Sequence, residues 1–302
     1  METYNCTYFD GEKLTENASV TIENGVAVSV SESNSPDGNC FIMPGLADTH
    51  VHISSKAQIE TMMKYGVTAA CDVASSADFA EQVRPFTLIC SAGMTMGTLN
   101  GRGYVRDAAA SGAKYIKVLI MGPFMPKPVL RSICEEAHEL GLKVAVHATT
   151  VKAQKMSVEA GADILIHIPM EEHYPQSLAE EIAEKEIVNI PTLVMMENFC
   201  RKPSDIYNAM MTVKMLYDCG VTILTGTDAN PGSFAPAVSF GDSLHREMRL
   251  LVQAGLTPVD VLAGATKKAA DVFGFQMQGL LLVSGRPDRD ISVSGNIQKM
   301  WI

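Results

Sequence analysis

From Pro44-Gly45 onward the chain repeats one texture, an apolar run of four to seven residues followed by a longer stretch of helical periodicity. Such runs lack the apolar–polar alternation of a half-exposed strand, so they read as strands buried on both faces. Eight can be counted: Phe41–Met43 leading into Leu46–Val51, Val67–Val73, Phe86–Cys90, Tyr115–Ile120, Lys143–His147, Asp163–Ile168, Ile187–Pro191 and Val221–Thr225. Several are entered through a glycine that ends the preceding helix, at Gly66, Gly141 and Gly220. Eight βα units imply an α/β chain folded as a (β/α)8 TIM barrel over residues 44–275.

The two ends have a different texture. Ala18–Glu23 alternates apolar and polar positions, Asn24-Gly25 supplies a hairpin turn, and Val26–Val30 alternates again. From Gln276 the chain returns to short β segments, Leu280–Ser284 and Ile291–Val293, with a turn at Gly285–Asp288 between them. Neither end could bury a core alone, so residues 1–43 and 276–302 are expected to pair into one small composite β-sheet domain.

Composition narrows the class of partner. With 302 residues, 47% hydrophobic and 19% charged, the chain is far from a disordered composition. The balance of 24 Lys+Arg against 34 Asp+Glu, net −10, comes with no basic run, which argues against a nucleic-acid or anionic-membrane surface and for a small-molecule substrate. Seven cysteines, an odd number with no C-x-x-C pair, read as free thiols of a reducing, cytoplasmic compartment. The first residues carry neither a basic nor an apolar leader segment, and no apolar stretch reaches the ~18 residues of a membrane span.

In a barrel of this kind reactive groups sit at the C-terminal ends of the strands. Asp48-Thr-His50-Val-His52 closes the first run, Lys117 lies within the fourth, His147 ends the fifth, His167 ends the sixth, and Asp228 follows the eighth. Side chains two apart on a strand point the same way, so His50 and His52 can reach one metal together. Imidazoles plus a carboxylate on one rim suit Zn²⁺ or a similar divalent ion. The intervals from His52 through Lys117, His147 and His167 to Asp228 are 65, 30, 20 and 61 residues, for three, one, one and two strands. Each fits a strand recurrence of about 20 to 30 residues.

Other meanings compete with these. A single strand-end histidine is ordinarily a satisfied rim residue, and Asp228 could cap a helix. A lysine in an apolar strand needs a partner for its amine, which for Lys117 means a buried salt bridge, a carboxylated lysine bridging two metals, or a Schiff-base lysine. His138, on a helical stretch with Glu135, Glu136 and Glu139, reads as solvated surface, and His245 as an ordinary helix residue. His173, a few residues past His167, is a candidate substrate contact, as are Arg102 and Tyr104 for a carboxylate group. Asn100-Gly-Arg-Gly is a candidate for shaping the pocket, and the 18 methionines read as core filler.

Together these segments resemble a known family. Phe41-Ile-Met-Pro-Gly-Leu-Ala-Asp-Thr-His-Val-His is similar to the signature joining the small β domain to the first barrel strand in the amidohydrolase superfamily. Gly112-Ala-Lys-Tyr-Ile-Lys-Val, His147-Ala, the His167 strand, Thr225-Gly-Thr-Asp-Ala, Leu250–Pro258 and Ala265–Ala270 resemble its imidazolonepropionase-like and prolidase-like branch. The resemblance implies a metal-dependent hydrolase with His50 and His52 on a first metal, His147 and His167 on a second, Asp228 beside the first, and a carboxylated Lys117 bridging two Zn²⁺ ions. A metal-bound hydroxide would then attack the carbonyl of an amide, and Asp228 would pass the proton to the leaving amine.

Departures from the family pattern are also legible. Only Ile53–Gly66 separates His52 from the second strand, and Cys90–Gly103 is abbreviated, which implies a shallow or open pocket with room for a neighbouring subunit of a homo-oligomer. Ile168-Pro169 follows His167 where relatives often have Gly, and Gly279 stands near an Asp common in the C-terminal β segment. The expected activity is hydrolysis of a C–N bond, in a dipeptide or N-acyl amino acid. The alternatives are a mononuclear cyclic-amide or lactone hydrolase, a Schiff-base lyase using Lys117, and a catalytically inactive barrel.

Overall fold

The structure is a computed structural model that describes residues 1–35, 37–96, 100–121, 125–233 and 235–302. The ends of the chain meet in one six-stranded sheet of order β14-β13-β4-β1-β2-β3, built from β1 (Glu2–Phe9), β2 (Leu14–Glu23), β3 (Val26–Glu32), β4 (Cys40–Pro44), β13 (Leu280–Ser284) and β14 (Ile297–Trp301). The β2–β3 turn is the expected Asn24-Gly25, both residues left-handed, which matches the twist of a tight hairpin. Antiparallel register from Leu280↔Pro44 to Ser284↔Cys40 ties the C-terminal segment to β4.

The expected strand at Ile291–Val293 is instead part of a short 3₁₀ helix, Ile291–Gly295, and the last strand begins at Ile297. The cause is local chemistry: the Asp290 carboxylate accepts the Ser292 N–H at 3.0 Å and turns the chain away from extended geometry. Ser294, buried at the end of that turn, shares a hydrogen bond with His245 Nδ1 at 2.8 Å.

Pro44 passes almost directly into β5 (Leu46–Val51). A side chain at the intervening Gly45 would lie 2.2 Å from Thr68 Oγ1 and 2.6 Å from the Gln278 carbonyl, so only glycine lets the two sheets approach this closely. β5 begins a three-stranded parallel sheet with β6 (Val67–Asp72) and β7 (Thr87–Cys90); a five-stranded parallel sheet follows, of order β12-β11-β10-β9-β8. Its members are β8 (Met94–Thr95), β9 (Tyr115–Leu119), β10 (Lys143–His147), β11 (Ile164–Ile166) and β12 (Val188–Ile190). β5 and β6 are buried at every position, as their unalternating apolar sequences require. The helices between strands include α1 (Lys56–Lys64), α2 (Ala77–Gln82), α3 (Gly101–Ala110), α4 (Lys127–Glu139), α5 (Val151–Ala160) and α6 (Gln176–Glu184). Beyond β12 come α7 (Leu193–Met196), α8 (Pro203–Asp218), α9 (Asp242–Gln253), α10 (Pro258–Gly264) and α11 (Lys267–Phe273). Gly66, Gly141 and Gly220 take the left-handed conformation expected of helix-ending glycines.

The architecture is therefore α/β, with the parallel strands in two ladders and not the single continuous one expected. One break falls at Ser91–Gly93, where Ala92 and Gly93 have φ of 56° and 118°. The other falls at Val221–Thr225, expected as the eighth strand, where only Ile223 makes a bridge, to Asn189. Just beyond this segment Asp48 accepts the Thr227 N–H at 3.0 Å and the Thr227 hydroxyl at 2.6 Å. Backbone bonds still reach both neighbours, from Leu224 N to Asn189 O at 2.9 Å, Thr49 N to Thr225 O at 3.1 Å, and Asp228 N to His50 O at 2.8 Å. Among the described residues no helix is long and apolar enough to cross a membrane.

Candidate metal centre

His50, near the end of β5, and His52, just past it, turn both rings to Asp228: the Nε2 atoms lie 3.4 and 2.8 Å from its Oδ1. His147, the last residue of β10, and His167, just past β11, bring their ring centroids within 4.3 Å, and the His167 centroid is 5.6 Å from that of His50. Donor atoms of His50, His167 and Asp228 lie within 4.8 Å of one another, close enough for one cation to touch all three. Lys117, central in β9 and 1% exposed, stands beside Ala145 of β10 in register. Its Nζ has no hydrogen-bond partner, and neither has His50 Nδ1.

Two of these side chains hang from unusual backbone. His167 and Asp228 have φ of 74° and 60°, left-handed for residues with a side chain. Gly226 explains how the second is reached, since a Cβ there would lie 2.6 Å from Ile190 Cγ2, 2.7 Å from Thr49 Oγ1 and 3.0 Å from His50 N. The segment 225–228 thus presses against β5 and delivers Asp228 to the His50–His52 pair.

Burial sets the charge states. It holds His50 and His167 well below the ordinary imidazole value and brings His147 down to about 3, with the Lys117 charge adding in each case. These rings are neutral, the form that binds a metal. Burial lowers Lys117 to about 7 against the opposing pull of Asp228, and pushes Asp48 up to about 7. A buried amine with no acceptor is costly in a protein interior unless something else occupies the site.

Other expected contacts lie elsewhere. Arg102, on α3, donates to Glu136 at 2.7 Å, Glu135 at 2.9 Å and Glu139 at 3.5 Å, so its guanidinium is held by α4 and is not brought to the histidines. Glu136 is 3% exposed and also accepts from Arg106 at 2.5 Å. Tyr104 is half-buried and its hydroxyl donates to the Lys117 carbonyl at 3.4 Å. His173 is exposed and lines a groove of about 660 Å³ between α6 and α8 with Tyr207, Met211, Lys214 and Asp218; none of the converging residues lines it. His138 is exposed, as expected, and pairs with Asp163 at 2.9 Å, while His245 is buried and its Nε2 bonds the Tyr65 carbonyl at 2.9 Å. The Asn100 side chain accepts the Gly103 N–H at 2.9 Å and caps α3; residues 97–99 of the adjoining abbreviated stretch lie outside the described residues.

Four buried polar residues around the cluster were not singled out from the sequence. Asp48 holds the 225–228 segment, as described. Asn189 Nδ2 donates to the Leu165 and His167 carbonyls at 3.2 and 3.3 Å. Thr192 Oγ1 shares a 2.7 Å hydrogen bond with His167 Nδ1. Glu247, on α9, accepts from Leu193 N at 2.9 Å and Val194 N at 2.7 Å. Asn189 was detectable by the logic that flagged Lys117, a polar residue inside an apolar run. Glu247 was hidden because it sits in the charged-looking helix Ser243-Leu-His-Arg-Glu.

Comparison with known proteins agrees with this geometry. Residues 41–283 match the Amidohydrolase family. An imidazolonepropionase from Deinococcus deserti is 29% identical over 163 residues, which are 52% of this chain and 37% of that protein, so the chain spans well under two thirds of that relative. A crystal structure of a Xaa-Pro dipeptidase with methionine bound in its active site superposes with a TM-score of 0.76 at 18% identity, covering 98% of this chain and 96% of that one. A structure of molinate hydrolase gives 0.77 at 14% identity, covering 99% and 93%.

Proposed function

Since the chain belongs to the amidohydrolase family, we propose that it is a metal-dependent hydrolase of amide-type C–N bonds in a small molecule such as a dipeptide or N-acyl amino acid. The observation that carries this reading is the convergence of four imidazoles, the Asp228 carboxylate and the orphaned Lys117 amine on one side of the parallel strands. The donor set of nitrogen and carboxylate oxygen suits Zn²⁺. His50, His52, Asp228, His147, His167 and Lys117 are the residues that would hold it. When bound, such ions supply Lewis acidity that lowers the pKa of water and polarises a carbonyl.

The chain's own groups supply the rest. Asp228, with Oδ1 facing two imidazoles, is placed to take a proton from an attacking water and return it to the leaving nitrogen. Carboxylation of Lys117 joins its nitrogen to the carbon of CO₂ with loss of a proton, and converts an amine without a partner into an anionic ligand able to bridge two ions. The two parallel ladders, joined through residues 221–229, are read as one (β/α)8 barrel over 44–275, flanked by a β domain of residues 1–43 and 276–302. The dipeptide reading draws support from the dipeptidase likeness. A cytoplasmic location and a homo-oligomer complete the reading.

One observation favours a second version. Among the described residues, only His50, His167 and Asp228 place donors within 4.8 Å of one another, the arrangement of a single-ion site acting on a cyclic amide or lactone. Metal content per chain separates the two. Chelation should abolish hydrolysis of a panel of dipeptides, N-acyl amino acids and cyclic amides, and Zn²⁺ should restore it. Activity that survives in the metal-free protein refutes the proposal.

A further inference from the structure

His167 is held from more sides than its neighbours. Its N–H donates to the Ile190 carbonyl at 2.8 Å, and its own carbonyl accepts from Asn189 Nδ2 and Gln154 Nε2, both at 3.3 Å. Gln154 is itself fixed, accepting the Tyr174 hydroxyl at 2.6 Å. These bonds fix the left-handed backbone but leave the ring free to turn about its side-chain bonds. Among the described residues, the ring is held at Nδ1 by Thr192 Oγ1, at 2.7 Å.

Thr192 is itself in a conformation that needs support. It is fully buried with φ of 51°, rare for a β-branched residue, and it immediately precedes α7. The two N–H groups that follow it, on Leu193 and Val194, have no partner within so short a helix and are both taken by the fully buried Glu247 carboxylate. Glu247 therefore pins the start of α7, and with it the direction of the Thr192 hydroxyl.

We infer that Thr192, held by Glu247, is a positioning residue that fixes His167 with its proton on Nδ1 and its Nε2 lone pair turned toward His50 and Asp228. A neutral imidazole carries one N–H, so a bond from Nδ1–H to the Thr192 oxygen settles which nitrogen remains free for a cation. The inference rests on the metal-hydrolase reading for its purpose, but the hold on the ring exists without a metal.

The test uses Thr192→Val, which keeps shape and branching and removes the hydroxyl, and Thr192→Ser, which keeps the hydroxyl. Thr192→Gly adopts the left-handed backbone without strain and serves if the Val variant does not fold. In metal-stripped wild type, ¹⁵N NMR should show His167 as a single tautomer protonated on Nδ1. The Val and Gly variants should show averaged ring nitrogens, and Ser should match wild type. Zn²⁺ affinity, read by chelator competition, should fall about 10–100-fold in Val and Gly and be kept in Ser. An unchanged tautomer together with unchanged Zn²⁺ affinity in Thr192→Val overturns the inference, as does a wild-type ring protonated on Nε2. A fixed Nδ1–H tautomer that Val abolishes, in a wild type with no affinity for Zn²⁺, supports the hold on the ring and refutes the metal-hydrolase reading instead.

Discussion

Replacing Lys117 by Met should make the metal-free protein more stable while removing its activity. Lys117 is fully buried with no partner for Nζ, and its pKa is lowered from 10.5 to about 7. The unfolded chain binds a proton at this side chain anywhere below 10.5, whereas the folded chain does not until about 7. Falling pH across that window therefore favours unfolding, at about 1.4 kcal/mol per pH unit. Over about 3.5 units the penalty reaches roughly 4–5 kcal/mol near pH 7 as a ceiling, and it is constant at lower pH. Methionine has a similar unbranched length and no charge, so it fills the space without the penalty. At about 2 °C per kcal/mol for a chain of this size, the variant should melt up to ~10 °C higher than metal-free wild type at pH 7. The assay is denaturant unfolding of chelator-treated wild type and variant at pH 7, 8.5 and 10, alongside hydrolysis by the Zn²⁺-reconstituted proteins. The stability gap should shrink steadily as pH rises and close near 10.5. A gap that does not vary with pH, or a variant less stable than wild type throughout, would refute the picture of an unpartnered buried amine; a buried salt bridge would give that second result.

Gly226→Ala should cost about 1–3 kcal/mol through overpacking against Ile190, Thr49 and the His50 backbone, read by thermal unfolding, and should lower bound Zn²⁺ because Asp228 is displaced with the segment. Glu136→Gln should weaken the α3–α4 contact at neutral pH. Arg106 and Arg102 hold the Glu136 carboxyl below its ordinary 4.5, so its stabilisation is present above that value and lost as pH falls, and unfolding curves of wild type and variant should converge in acid. Dialysis into Zn²⁺ should leave two equivalents per chain if Lys117 bridges a pair, and one if His50, His167 and Asp228 form a single-ion site; metal analysis decides.

What could be read from sequence followed from the physics of each signal. Apolar runs and glycine stops located β5, β6, β7, β9, β10, β11 and β12 because burial on both faces leaves an unambiguous composition. The same rule failed at Val221–Thr225, whose composition is equally apolar but which bonds to Asn189 on one side and Thr49 on the other without a continuous ladder. The separate reading of Ile291–Val293 as a short β segment failed where one carboxylate turned a β-like triplet into a 3₁₀ helix. The histidines and Asp228 were visible because strand ends are periodic positions. The α4 partners of Arg102 were not legible because they lie more than 30 residues along the chain, and no spacing rule connects them. Thr192 and Glu247 gave no local signal at all, since what they do depends on α9 lying against the start of α7.

The strand that carries His50 and His52 continues from β4, and β4 lies between β1 and β13. Its pairing Met43↔Leu281 spans more than 200 residues. On the ribosome, then, His50 and His52 are synthesised early, but β4, the strand that leads into theirs, receives its partner β13 only after the whole parallel region has emerged. Closing so long a loop is slow and entropically costly. Closure of the small sheet is therefore a late event in the life of the nascent chain, and a truncation that removes β13 acts on the opposite end of the sequence, at the strand that leads into His50 and His52.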